Sequence, residues 1–166
     1  MQDGLNDFIR DIHGSGLTLL EVGSYAGESA SMFAESGKFM SVVCVDPWGT
    51  GCPKYKKQAE LAEVEFDKAV QRHHPVIIKR KGVLRDFVDS ETHVDVCYID
   101  GKHDYRSVLR DVYQAMLFLK PGGIMAGHDY NKDHPGVMKA VDTIYGRGSF
   151  KVYKDGTWAV FERAIR

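Results

Sequence analysis

No run in the sequence approaches the ~20 apolar residues that a membrane span needs, so no membrane partner is expected. An excess of either charge is also missing: 22 lysines and arginines stand against 23 aspartates and glutamates, a formal net charge of -1. That balance gives no electrostatic reason to expect a nucleic-acid or anionic-membrane partner. The opening residues Met1–Asp7 carry acids and no basic region ahead of an apolar stretch, so a secretory signal is not expected. Cysteine is scarce. Cys44, Cys52 and Cys97 make an odd count without close metal-ligand spacing. Cys44 and Cys97 fall inside apolar strand patterns, where buried reduced thiols and a reducing cytoplasm are the natural expectation. Repeats, linkers and low-complexity segments are absent as well. The 166 residues suit one domain (1–166) with a sizeable core, an N-terminal helix within 1–14 and a core over 17–162.

What is present is alternation. Leu5, Phe8, Ile9 and Ile12 repeat at helical spacing, and Gly14 stops that helix. Leu17–Val22 reads as a strand, Ser29–Ser36 as a short helix and Met40–Asp46 as a second strand. Lys54–His74 has a blurred helical pattern closed by Pro75. Val76–Lys79 and Val94–Asp100 are strands. Tyr105, Val108, Leu109, Val112 and Met116 mark an amphipathic helix. Pro121-Gly-Gly breaks it, and a strand follows over Ile124–Gly127 toward Asp129. Val137, Met138, Val141, Ile144 and Tyr145 make a last helix. Phe150–Tyr153 and Thr157–Phe161 flank Lys154-Asp155-Gly156, a hairpin signal. Strands alternating with helices, and apolar on both faces, imply an α/β fold with a mostly parallel sheet covered on both sides. The closing hairpin adds an antiparallel strand at one edge.

In such a sheet ligands bind beyond the carboxyl ends of the strands. Glu21-Val-Gly23-Ser24-Tyr-Ala-Gly27 lies there, where glycine allows a tight turn and a close ligand approach. The G-x-G-x-x-G fingerprint of a pyrophosphate site is absent. Glu21 at the mouth would repel a phosphate and suit a ligand bearing an amine. Asp46 ends the second strand, where an acid can accept from ribose hydroxyls. The ligand indicated is a nucleoside with a cationic tail and no pyrophosphate.

Four blocks resemble the class I S-adenosylmethionine-dependent methyltransferases. They are Glu21–Gly27, Val45-Asp46-Pro47-Trp48, Val94–Tyr105 with its Tyr-Ile-Asp-Gly-Lys-His core, and Leu119–Tyr130 with Lys-Pro-Gly-Gly and His-Asp-Tyr. The last two are similar to a small O-methyltransferase subgroup that includes sugar O-methyltransferases of antibiotic pathways. The resemblance covers roughly 17–162. It implies a Rossmann-like doubly wound sheet in the order 3-2-1-4-5-7-6 with strand 7 antiparallel. It also implies that Glu21, Gly23, Ser24 and Gly27 line the methionine end of S-adenosylmethionine and that Asp46 holds its ribose. Pro47, Trp48, Val83 and Leu84 would lie about the adenine, Gly82 and Asp86 near them, and Asp100 would face the cofactor from the next strand.

A sulfonium methyl is already electrophilic, so the protein's task is to align a nucleophile and take its proton. Two means are expected here. His103, three residues after Asp100, has an ordinary pKa near ~6.5, suited to a base at neutrality. Asp100 and Asp129 end neighbouring strands ~4.8 Å apart, a spacing that invites a divalent cation such as Mg²⁺ or Mn²⁺. Metal-dependent members of the resembled family add a third acid or amide directly after the second; here that position is Tyr130, with Asn131 one step on. The alternative for Asp100 is a bond to backbone amides. His128 is expected to be structural, and His73, His74, His93 and His134 are assigned no role. Lys102 and Arg106 are candidate contacts for an anionic acceptor or ordinary solvated charges. The expected activity is methyl transfer to a hydroxyl of a small molecule, a sugar among the candidates. A nucleotide-dependent oxidoreductase and a cofactor-binding module without catalysis are the alternatives. Acceptor and oligomeric state are not legible in the sequence.

Overall fold

The computed structural model describes residues 3–49, 56–87 and 93–161. Cys52, residues 54 and 55 of the expected third helix, and residue 162 lie outside the described residues. The chain runs α1 (Asp3–Asp11), β1 (Leu17–Val22), α2 (Glu28–Glu35), β2 (Phe39–Asp46), α3 (Lys56–Val70), β3 (Ile77–Lys81), β4 (Val94–Ile99), α4 (Tyr105–Met116), β5 (Leu119–Gly127), α5 (Pro135–Tyr145), β6 (Lys151–Val152) and β7 (Trp158–Phe161). The seven strands form one sheet in the order β3-β2-β1-β4-β5-β7-β6. The first five are parallel; β7 runs antiparallel to β5, and β6 antiparallel to β7. The order implied by the resemblance is the order found.

Most boundaries shift by one or two residues from the sequence pattern, and the larger differences lie in β5, α3 and the hairpin. β5 starts at Leu119, so Pro121-Gly-Gly lies inside a strand instead of ahead of it. Pairing jumps from Val94–Leu119 to Val96–Ile124, and Lys120–Gly123 bulge out of register. The α3 helix stops at Val70 and tightens into a 3-10 turn over Gln71–His73. In the hairpin, β7 inserts beside β5 and leaves the two-residue β6 as the outer strand. The other outer strand, β3, carries Lys79, Arg80 and Lys81, charges that discourage pairing with a second edge.

Alternation along the central strands feeds two cores. Leu19, Val96, Tyr98 and Ala126 face α1, α2 and α3, packing against Phe8, Phe33 and Phe66. Leu20, Cys97, Ile99 and Met125 face α4 and α5, packing against Val108, Val112, Val137 and Val141. Cys44 and Cys97 are buried free thiols, and burial pushes the Cys97 thiol up to about 12, so neither is a nucleophile. No helix among the described residues is long and apolar enough to cross a membrane.

Helix α1 is fastened at both ends to the far side of the chain. The Leu5 amide donates to Asp155 Oδ2 at 2.8 Å, so the hairpin turn caps the helix start. Tyr153 donates its hydroxyl to Asp11 Oδ2 at 2.6 Å. Between these bonds Phe8, fully buried, meets Phe33, Tyr98 and Tyr153 with centroids 6.5, 6.1 and 6.0 Å away. Phe8→Ala is therefore expected to cost about 3–5 kcal/mol of stability, as large-to-small changes in closed cores do. Urea unfolding checks this; a loss within ~0.5 kcal/mol, typical of surface sites, would mean that α1 is not part of the core.

Candidate active site

Parallel pairing brings four acids to one end of four neighbouring strands. Asp46 ends β2, Glu21 is the penultimate residue of β1, Asp100 follows β4 and Asp129 lies two residues beyond β5. Helix N-termini and strand-end loops meet there, and so do all three non-glycine residues of the described chain with left-handed backbone: Tyr25, Trp48 and Asp129.

Glu21 is fully buried. Ser29 donates its hydroxyl to Oε1 at 2.5 Å, while Oε2 and the buried Ser24 Oγ make no hydrogen bond of normal geometry among the described residues, although the Ser24 hydroxyl and the Cys44 thiol lie near enough to lower the acid. Desolvation raises the carboxyl's pKa, and the neighbouring hydroxyls offset this only in part. The flanking glycines answer to the protein's own packing. Gly23 has φ 91°, and a Cβ there would stand 2.2 Å from the Asp100 carbonyl oxygen. Gly27 has φ 82°, and its Cβ would stand 2.9 Å from Phe66 and 3.2 Å from Val70. The Cβ positions that these glycines leave empty are thus filled by the backbone just past β4 and by α3, a packing requirement that stands beside the expected approach of a ligand.

Asp46 holds two of the left-handed residues. Its Oδ2 accepts the Tyr25 amide at 3.0 Å and its Oδ1 the Trp48 amide at 2.7 Å. The Trp48 indole donates to the Tyr25 carbonyl at 2.7 Å, closing a clasp between the β1 and β2 loops. Trp48 is 2% exposed and packs on Phe66 with centroids 4.8 Å apart, so it braces the crevice from below and offers no free face to a ligand. Leu84 is also withdrawn into the core, whereas Val83 is exposed and Pro47 half-buried. Gly82 donates its amide to the Asp46 carbonyl, and Asp86 accepts the Val83 amide, fixing the loop after β3.

At the other end of the crevice, three imidazoles surround Asp129. His103 Nε2 lies 2.8 Å from Oδ2, while His128 Nδ1 and His134 Nδ1 lie 3.1 and 3.3 Å from Oδ1. The His103 and His134 rings pack with centroids 4.4 Å apart. Burial works to raise Asp129, but the hydrogen bond from His128 and the three imidazoles prevail and hold its pKa below the usual carboxylate range. Burial lowers His103 against the pull of Asp129, so its imidazole is neutral near pH 7. The hydrogen bond to Asp129 raises His128, with burial opposing. Asp100 makes no hydrogen bond through its carboxylate among the described residues, so the backbone-bonded alternative does not hold. Desolvation, with Asp129 and Glu21 adding to it against His128, pushes Asp100 up to about 7.

The sequence leads one to expect a hard cation between Asp100 and Asp129; ligand-capable atoms of Asp100, His128 and Asp129 lie within 4.8 Å of one another, but further protein oxygens are few. Mg²⁺ requires a near-octahedral shell of oxygens. Both Asp129 oxygens face imidazole nitrogens. The Tyr130 hydroxyl is donated to Asp142 Oδ1 at 2.8 Å, and Asn131 Oδ1 accepts the Asp133 and His134 amides. Neither residue after Asp129 offers a third oxygen.

His134 and Tyr25 are the residues that sequence reasoning missed. His134 precedes Pro135 at the start of α5, so the proline's preference for a first helical turn was the signal that could have placed it at the strand-end face. The Tyr25 side chain is exposed in a left-handed turn, a conformation that residue type does not announce.

Glu21 yields a test of stability. Its folded pKa is raised, so its contribution favours the folded state below the unfolded value of ~4.3 and is lost as pH rises through the folded pKa. Glu21→Gln is therefore expected to stabilise the unliganded protein by about 1–3 kcal/mol at pH 7, with no gain below about pH 4. Thermal unfolding across this range checks it; destabilisation at pH 7 would mean that the charge is better solvated than its burial implies.

The comparisons with known proteins bear on this crevice. An uncharacterised protein of Acanthamoeba polyphaga mimivirus is 22% identical over 143 residues, and the match covers 83% of this chain and 65% of the relative. The chain thus spans just under two-thirds of that curated relative's length. An O-methyltransferase from Bacillus cereus, solved with S-adenosylhomocysteine, superposes with TM-score 0.61 at 16% identity, covering 87% of this chain and 74% of that one. CalS11, a TDP-rhamnose 3'-O-methyltransferase of calicheamicin biosynthesis, superposes with TM-score 0.62 at 17% identity over 96% of this chain and 76% of that one. These likenesses establish the fold. A family model for a methyltransferase domain matches residues 20–130, from the middle of β1 to Tyr130 beside Asp129, and so takes in all four acids. The chain belongs to that family of class I S-adenosylmethionine-dependent methyltransferases.

Proposed function

We propose that the crevice transfers a methyl group from S-adenosylmethionine to a hydroxyl of a small molecule. The observation that carries this reading is the buried Glu21 carboxylate, whose Oε2 makes no hydrogen bond of normal geometry among the described residues, beside the Ser24 hydroxyl in the same state. A buried acid in that state calls for a cationic ligand, and a donor with an amino group supplies one. Asp46 spends one lone pair of each oxygen on the Tyr25 and Trp48 amides and keeps the others for ribose hydroxyls. Val83 gives an exposed apolar contact for a base. Trp48 and Leu84 serve this end only by packing.

When bound, S-adenosylmethionine provides an electrophilic methyl group. The chain's own task is to orient an acceptor hydroxyl and remove its proton. His103 is the base. With Nε2 held against Asp129 Oδ2 as a donor, the Nδ1 lone pair is free to accept the proton, and Asp129 stabilises the imidazolium that forms. The ring is 44% exposed on its side chain, so the proton then passes to solvent. Asp100, half-buried just past the end of β4, lines the same small cleft as this group. The balanced charge favours a small acceptor over a nucleic acid. The likeness to CalS11 supports a sugar hydroxyl as the first class to try.

Calorimetry is expected to detect S-adenosylhomocysteine binding and no NAD binding. Asp46→Ala should weaken the former by about 1–3 kcal/mol, the range for hydrogen bonds to a charged group. Binding of NAD in preference would overturn the reading.

His103→Ala is expected to lower turnover by about 10²–10⁴-fold with S-adenosylhomocysteine affinity intact, measured as label transfer to a panel of hydroxylated sugars. Because the imidazole's pKa is lowered, the wild-type rate should fall only as pH drops below about 6.5. Full activity of the variant would exclude His103 as the base.

A further inference from the structure

A second group of donors converges to one side of the strand-end acid pair. Ligand-capable atoms of His103, Asp129 and His134 lie within 4.8 Å of one another. The carboxylate presents one oxygen to each ring, Oδ2 at 2.8 Å to His103 Nε2 and Oδ1 at 3.3 Å to His134 Nδ1. The three side chains come from the loop after β4, the loop after β5 and the residue before α5. Backbone packing holds them there. A Cβ at Gly136, in the first turn of α5, would stand 2.4 Å from the His103 carbonyl oxygen, so its absence lets α5 press against the loop that carries His103. Asp129 is set by left-handed backbone at φ 62°. Asn131 Oδ1 accepts the His134 amide at 3.2 Å and lies 3.2 Å from Nδ1, which steers that ring.

We propose that His103, Asp129 and His134 form a binding site for a divalent transition-metal ion of the Zn²⁺ and Co²⁺ kind. Two imidazoles and one carboxylate are the donors such ions prefer, and they leave a fourth position open. Mg²⁺, which takes oxygens, is poorly served by them. Ligands at about 2.0–2.2 Å from a tetrahedral ion stand roughly 3.4 Å apart. The His134 pair, at 3.3 Å, is already at that separation, and the His103 pair, at 2.8 Å, has to open by about 0.6 Å. The side chains of His103 and His134 are 44% and 32% exposed, so an ion reaches them from solvent, while Asp129 is largely covered.

The consequence, which alone rests on the methyl-transfer reading above, is a reversible brake. Coordination uses the Nε2 lone pair of His103, and the proton that Nε2 held moves to Nδ1. Nδ1 then has no lone pair for the acceptor's proton, so the bound ion and the base exclude each other. On His134 the Nδ1 lone pair goes to the ion, and Asn131 Oδ1 keeps its two amide donors.

Metal binding tests the site without knowledge of the acceptor. Protein stripped with EDTA and dialysed is titrated with Co²⁺, followed by visible absorption, and with Zn²⁺ by calorimetry. The wild type is expected to bind one ion per chain, with the visible bands of four-coordinate Co²⁺, and millimolar Mg²⁺ should not displace it. His134→Ala should weaken Co²⁺ binding by more than the roughly 10–100-fold that loss of a partner behind a ligand costs. His134→Phe, which keeps a ring against His103, does the same should the alanine variant fold poorly. Asp100→Asn should keep the ion. A wild type that binds neither ion at millimolar concentration would overturn the proposal. So would binding retained in both His134 variants, and its loss in Asp100→Asn would then place the ion with Asp100, His128 and Asp129. S-adenosylhomocysteine calorimetry on the stripped protein reports on the methyl-transfer reading separately.

Discussion

Four carboxylates on four adjacent strand ends are the constraint around which this molecule is arranged. Two of them, Asp100 and Asp129, come within 4.8 Å together with an imidazole. At an effective dielectric of ~20, two full charges at that range repel by roughly 3 kcal/mol. Each acid meets the problem differently. Asp46 accepts two backbone amides, Glu21 is buried with one hydroxyl donor, Asp100 shifts toward its protonated form, and Asp129 is ringed by imidazoles. Glu21 is left one partner short, and Asp129, at the far end of the row, has three. Under the proposed function the first end takes the cationic ligand and the second the acceptor's proton, so the row has a direction.

Strain and satisfaction are segregated along the strands. Tyr25, Trp48 and Asp129 hold left-handed backbone at the carboxyl ends, at a cost of order 1–3 kcal/mol each. At the opposite end of the sheet, Asp95 accepts the amide and hydroxyl of Thr18, both at 2.8 Å, and pairs with Lys120 at 2.8 Å. The two apolar layers and this lower seam offset the strain that the crevice stores.

Much of the frame was legible because it depends on local chemistry. Leu17–Val22 follows from an apolar run between glycines, and Tyr105–Met116 from helical spacing with Asp104 capping Ser107. Periodicity alone does not fix the order of the strands; four motif blocks in sequence order do, through the family they resemble. Side-chain direction was the harder matter. Trp48 sits beside Asp46 in the chain yet turns beneath the loop, because its φ of 37° and the bond to Tyr25 send the indole toward Phe66. His134 is five residues from Asp129, and only the turn before α5 folds it back onto that carboxylate. Gly23 and Gly27 were recognisable as necessary, but the atoms that make them so belong to β4 and α3, far along the chain. Properties set by neighbours in space leave little trace in neighbours in sequence.

The fastening of α1 has a consequence for the order of assembly. Its bonds to Asp155 and Tyr153 close loops of 150 and 142 residues. Closing so long a loop costs chain entropy that no local contact repays beforehand. Helix α1 leaves the ribosome well before the hairpin that fastens it, and until that hairpin arrives Phe8 can meet Phe33 and Tyr98 but lacks the cover of Tyr153 and Phe161. The Tyr130 amide bonds the Gly156 carbonyl at 2.8 Å in the same hairpin. One late docking event thus seals the core and sets the backbone beside Asp129, so a chain caught before it is both sticky and without a finished crevice.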